Sequence, residues 1–196
     1  MIRSTHIAAA GLTLVEMLVV VALLAAMLGI LLPALDRARA LAHRTACMEN
    51  QRTIGRGIQD HLAEVGSLPR ARFLDKPVIS HDPNPALSWV LLDRMRPVAG
   101  VFHCPGDEMA LYPACGISYF YNYLLSGRTL ESIGRANAVS PGAATLADVP
   151  LLWDADNVVL DTTRGPLDVP RFHQIRVALF ADFHVQTASD SQTPIQ

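Results

Sequence analysis

The uncharged run from Met17 to Leu35 constrains this chain more than any other feature, because it leaves one carboxylate, Glu16, at the head of an apolar segment. As a helix, the 24 residues from Leu12 to Leu35 would measure roughly 36 Å at about 1.5 Å per residue, enough to cross a hydrocarbon core of roughly 30 Å. A charged side chain costs on the order of 2.5–3.5 kcal/mol at mid-bilayer and less near the interface, so Glu16 is expected to have a partner that offsets the cost. Such a start can be a retained span, a plain signal anchor, or a removed secretory signal cut at Ala38-Arg39-Ala40 or Ala40-Leu41-Ala42. The length of the apolar run, Glu16 near its start and Asp36-Arg37 near the proposed cut all count against removal.

Beyond the span about 160 residues remain, which fits one modest domain. The net charge is −2, and Arg3 and Glu16 are the only Asp, Glu, Lys or Arg before Asp36, so bulk charge does not indicate nucleic-acid binding. One local exception is the stretch Arg37, Arg39, Arg44, Arg52 and Arg56, with His43 beside it. It reads as a headgroup anchor or a solvated helix face ahead of a DNA contact.

Apolar residues Ala38, Ala42, Ile54, Ile58, Leu62 and Val65 recur at helical spacing, which extends the first helix from about Leu12 to Val65. Gly66 is the expected C-cap, and Pro69 bars continuation. Gly55 and Gly57 weaken a helix by roughly 1 kcal/mol each, so close packing against a sheet is expected there. Six prolines between Pro77 and Pro113 predict irregular connections, with helix only over Leu87 to Met95. Strands are expected at Leu151–Trp153, Asn157–Leu160, Ile175–Ala181 and His184–Thr187, with turns at Asp154-Ala155-Asp156 and Asp182-Phe183. Residues 189–196 read as a polar tail. The predicted class is α+β, a long N-terminal helix laid against a small antiparallel sheet.

The segment Gly11-Leu12-Thr13-Leu14-Val15-Glu16 and the span behind it resemble the signature of type IV prepilins and type II secretion pseudopilins. The resemblance implies a leader of residues 1–11, cleavage between Gly11 and Leu12 by a prepilin peptidase, and N-methylation of Leu12. It also implies an assembly role for Glu16 against a neighbour's amine, and a helix kink at Pro33. The helix dipole is positive at this end, which suits a carboxylate there. Cys47-Met48-Glu49-Asn50-Gln51-Arg52-Thr53-Ile54-Gly55, Phe102-His103-Cys104-Pro105-Gly106-Asp107, Ser118-Tyr119-Phe120-Tyr121-Asn122 and Leu179-Phe180-Ala181-Asp182-Phe183-His184-Val185 are similar to four segments of one pseudopilin-like subgroup. In the last of these, Phe183 stands where the subgroup carries the Gly of an Asp-Gly turn.

The resemblance further implies a single-pass inner-membrane protein with a cytoplasmic N-terminus and an exported globular domain over 67–188, the helix extending through 36–66. Its partners would be the prepilin peptidase, other pilin-like subunits, an inner-membrane assembly platform and lipid. Its role would be structural, with no enzyme activity and no cofactor. Outside the cytoplasm a disulfide is permitted, and Cys47, Cys104 and Cys115 leave three pairings open. Cys104–Cys115 would close a short loop, while Cys47–Cys104 would tie the long helix to the globular part, the mechanically more useful arrangement.

Other chemistry is weakly signalled. His173, Asp182 and His184 could meet across a hairpin as ligands for zinc or another divalent ion, but hydrogen-bonded turn residues are the more economical reading. Asp154, Asp156, Asn157 and Asp161 have the composition of a calcium loop without its pattern, and read first as a hairpin turn. His103, Cys104, Asp107 and Glu108 read as a turn with a structural cysteine. Trp89, Trp153, Tyr119, Phe120, Tyr121 and Tyr123 are expected in the core and on sheet faces. Two other classes remain: a membrane-tethered exported module binding DNA or a cell-surface polymer, and a metal-dependent enzyme at His173, Asp182 and His184.

Overall fold

The structure, a computed structural model, describes residues 13–74, 78–79, 82–95, 99–108, 111–137 and 145–189. The expected leader 1–11, with Gly11, and the expected new terminus Leu12 lie outside the described residues, as do 190–196 of the tail. The chain forms two compact units, Met1–Arg39 and Ala40–Gln196.

The first helix, α1, runs from Leu14 to Val65. It starts at Leu14 because Thr13 caps it. The Glu16 carboxylate accepts hydrogen bonds from the Thr13 backbone N–H and hydroxyl, both at 2.8 Å, and the Glu16 N–H donates to Thr13 Oγ1 at 3.3 Å. This Thr-x-x-Glu capping box satisfies helix-end donors that have no intrahelical partner. The helix continues through Pro33, whose missing N–H deprives the Gly29 carbonyl of its helical donor. In the first unit every described residue is exposed, and α1 is long and apolar enough to cross a membrane.

In the second unit α1 buries Cys47, Gln51, Ile54, Gly55, Gly57, Ile58 and His61, a stripe at steps of three and four. Ala38, Ala42 and Val65 of the expected stripe are exposed instead. The buried face is rotated toward Cys47 and Gln51, which have covalent or hydrogen-bonded partners in the domain. Gly55 packs on the sheet, since a Cβ there would lie 3.1 Å from Leu179 Cδ1; at Gly57 a Cβ would meet Met95 Sδ at 2.7 Å. Gly66 adopts φ +78° and its N–H reaches the Leu62 carbonyl at 2.8 Å, closing the helix with a left-handed residue.

The strands are β1 Tyr119–Tyr121, β2 Pro150–Asp154, β3 Val158–Thr162, β4 Gly165–Val169, β5 Arg176–Phe180 and β6 Val185–Ala188. Four of them make an antiparallel sheet in the order β1-β2-β5-β6, and β3-β4 form a separate hairpin. The two central strands, β2 and β5, are buried along their whole length. Together with α1 this gives the expected α+β class. The segment 154–156 is not a hairpin turn, because β2 and β3 belong to different sheets. It carries the chain from one to the other, and Asn157 takes the left-handed conformation at φ +55°.

The second expected helix is shorter than its sequence suggests: α2 covers Leu87–Leu91 and gives way to turns before Met95. Two further helices, α3 Leu111–Cys115 and α4 Leu130–Asn137, were not signalled by apolar periodicity. Thr129 caps α4 through a 3.1 Å bond from the Ser132 N–H to its hydroxyl. Tyr119, Phe120, Tyr121 and Trp153 fill the core as expected. Trp89 and Tyr123, at 70% and 50% exposure, do not: Trp89 sits on the outer face of α2, whose buried positions are Leu87 and Leu91, and Tyr123 opens the 3-10 turn Tyr123–Leu125, of which Leu125 is the buried residue.

Candidate functional site

Two of the four sequence segments, 47–55 and 102–107, are joined at one turn of α1. Cys47 is bonded to Cys104, which joins α1 to the loop after the 3-10 turn Ala99–Phe102. Three residues along the helix, Asn50 donates its amide to the His103 carbonyl at 2.7 Å. Gln51 reaches the sheet, donating to Asp154 Oδ1 at 3.0 Å and to the Val177 carbonyl at 3.1 Å. Cys115, on α3, is buried outside this disulfide.

Asp107 organises the loop that carries Cys104. Its carboxylate accepts from the N–H groups of Leu111 and Tyr112, at 3.0 and 2.6 Å, and from the Ser118 hydroxyl at 2.7 Å. The first two bonds start α3 and the third fixes the approach to β1. Asn122, just after β1, donates to the Pro150 carbonyl at 2.8 Å and so pins β1 to the start of β2. These polar positions are therefore cross-braces between elements.

Asp154 and Asp156 are fully buried braces of the same kind. Asp154 accepts from Gln51 and from the Val177 N–H at 2.8 Å. Burial pushes its carboxyl up to about 8, with Asp156 adding to the rise and the Val177 N–H, Gln51 and Arg176 opposing it. Asp156 accepts from Arg176 Nε and from the Phe172 N–H, both at 2.9 Å. With both carboxylates committed inside the domain, Asp154, Asp156, Asn157 and Asp161 form no cation loop among the described residues.

The expected trio His173, Asp182 and His184 does not come together either. His173 lies before β5 and Asp182 and His184 after it, at opposite ends of a five-residue strand. At the β5–β6 turn the Asp182 carboxylate accepts from the His184 N–H at 3.2 Å and from its ring, and the ring stacks on Phe180 at 4.6 Å. Phe183 adopts φ +71° where a glycine would do so at no steric cost. The turn keeps the left-handed geometry because Phe183 donates to Phe180 at 2.8 Å and Phe180 to His184 at 3.0 Å.

His173 instead packs on the disulfide, with Nε2 3.1 Å from Cys104 Sγ. Burial pushes its pKa down to about 4, and His43 and Arg44 add to the fall. Among the described residues, Cys47, Cys104 and His173 are the one group of three or more His, Cys, Asp or Glu close enough to share an ion. Sequence reasoning singled out His173 but gave it Asp182 and His184 as partners, since nothing in the spacing links residue 173 to 104. Gly106 makes the approach feasible: a Cβ there would lie 2.8 Å from both the Phe172 carbonyl oxygen and His173 Cε1. Gly106→Ala is therefore expected to cost about 1–3 kcal/mol in denaturant unfolding. Gly55→Ala, which meets only the movable end of Leu179, should cost less.

On α1, Glu49 lies 3.3 Å from Arg52 and 3.6 Å from Arg56. Arg37 and Arg39 are exposed. No protein-family model, no curated protein and no solved structure matches this chain.

Proposed function

We propose that this protein is a pseudopilin-like structural subunit of a type II secretion or type IV pilus-related filament, trimmed by a prepilin peptidase and held in the inner membrane by α1 before assembly. The observation that carries the reading is the head of α1, where the Thr13–Glu16 capping box opens an apolar helix that ends on a small antiparallel sheet. In this mechanism residues from Leu12 pack as the filament's apolar core. The domain after Ser67 forms its outer surface. Glu16 serves twice: its Oε2 holds the Thr13 donors, and Oε1, which makes no bond among the described residues, is left for the amine of a neighbouring subunit.

Replacing Gly11 by a bulky residue should leave a full-length precursor. Wild-type protein from cells with a prepilin peptidase should begin at N-methylated Leu12, as read by intact mass and N-terminal sequencing. Glu16→Ala should be cleaved normally and enter filaments poorly. Thr13→Val removes the hydroxyl cap, at a cost of about 1 kcal/mol, but keeps the carboxylate, and should assemble. Equal assembly defects in the two variants would reduce Glu16 to a cap. A chain beginning near Arg39 or at Met1 would exclude the pseudopilin route.

A further inference from the structure

We propose that the dithiol form of this protein binds one thiophilic cation, of the zinc class, through Cys47 Sγ, Cys104 Sγ and His173 Nε2. Two thiolates and one imidazole are a donor set that zinc favours, with water completing a tetrahedron. The three donor atoms already lie within 4.8 Å of one another. A tetrahedral ion with Zn–S of about 2.3 Å and Zn–N of about 2.0–2.1 Å sets the sulfurs about 3.8 Å apart and each sulfur about 3.6 Å from the nitrogen. Opening the disulfide and rotating the two cysteine side chains covers that difference.

The donors stay opposed without the disulfide because other bonds hold their backbones. Asn50 grips the His103 carbonyl beside Cys104, and Asp156 grips the Phe172 N–H beside His173. Gly106 seats the two segments against each other. An open cleft of about 510 Å³, lined by Gly106, Asp107, Glu108, Asp168, Arg171 and Phe172 among others, lies beside the segments that carry Cys104 and His173.

The chemistry balances with a dithiol reductant. It delivers two electrons and two protons to the Cys47–Cys104 bond and becomes a cyclic disulfide itself. The ion then displaces both thiol protons, forming two metal–sulfur bonds and one bond to neutral His173. Reoxidation by a disulfide reverses the sequence and releases the ion. The site is independent of the filament reading.

The test uses the full chain in detergent, reduced anaerobically with a phosphine and titrated with Co2+ and then Zn2+. The expected result is one ion per reduced chain, with a sulfur-to-cobalt charge-transfer band in the near ultraviolet, and no uptake by the oxidised chain. His173→Ala should weaken binding by more than the roughly 10–100-fold that loss of an outer partner costs. His173→Cys should restore it with a stronger charge-transfer band, and Cys115→Ser should change nothing. No uptake by the reduced wild type, uptake unaffected by His173→Ala, or uptake equally impaired by Cys115→Ser would each overturn the proposal, the last by pointing to chelation by an unfolded chain.

Discussion

Replacing Cys47 and Cys104 together by Ala is expected to lower the thermal midpoint of the unit Ala40–Gln196 by about 8–16 °C. The bond closes a loop with a sequence separation of 57 residues. The chain-entropy model assigns such a loop about 4 kcal/mol, and for a unit of this size each kcal/mol moves the midpoint by about 2–4 °C. Both cysteines are fully buried, so the double variant also loses two sulfurs from the core. Cys115→Ala, which breaks no cross-link, should shift the midpoint far less. Thermal unfolding followed by tryptophan fluorescence of the full chain in detergent reads both. A drop under about 2 °C in the double variant would mean that Asn50, Gln51 and the Gly55–Leu179 contact hold α1 on the sheet without the bond.

The same unit should lose stability as pH rises from 6.5 to 8, by on the order of 1 kcal/mol, and Asp154→Asn should abolish the fall. The folded carboxyl titrates at about 8 against an ordinary value of 3.8, so between those values the folded chain holds a proton that the unfolded chain has released. Stability then falls with increasing pH. His173 has the opposite sign: its folded pKa of about 4 lies below the ordinary 6.5, so its contribution rises with pH across that interval. His61, also lowered by burial, acts in the same direction. At 6.5 an unfolded histidine is still half protonated, so between 6.5 and 8 the two histidines offset part of the fall that Asp154 causes without reversing it. Asn at 154 keeps an acceptor for the Val177 N–H and removes the ionisation. Urea midpoints at several pH values measure this, and a wild-type curve flat from 6.5 to 8 would show that the Val177 and Gln51 donors fully offset the burial of the charge.

Much of the fold was legible because short-range rules decide it. The apolar run after Glu16 and the Gly66 cap place α1 to within two residues at its start and at Val65 itself, whereas the capping box at Thr13 and Glu16 was not read. The central strands β2 and β5 were found from apolar runs of β-forming residues. The strand Gly165–Val169 was missed, since Gly165, Pro166 and Asp168 disfavour strands by themselves; its pairing with Val158–Thr162 outweighs their propensities. The candidate site divided in the same way. Cysteines and acidic residues could be picked out by type, whereas their partners could not. The pair Asp182 and His184 was placed correctly at a turn, but His173 was grouped with them on sequence proximity and belongs to the disulfide.

Residue order alone was enough for a long apolar helix with one carboxylate at its head, its continuation to Val65, and an α+β domain behind it. Those features follow from residue-by-residue energetics: transfer of apolar groups, helix capping and period. Packing of the domain set which face of α1 is buried, that Cys47 meets Cys104, that Asp154 and Asp156 are internal braces, and that His173 rests on the sulfurs. Each of these depends on contacts between residues 16 to 126 positions apart, and such contacts exist only once the strands and α1 are packed.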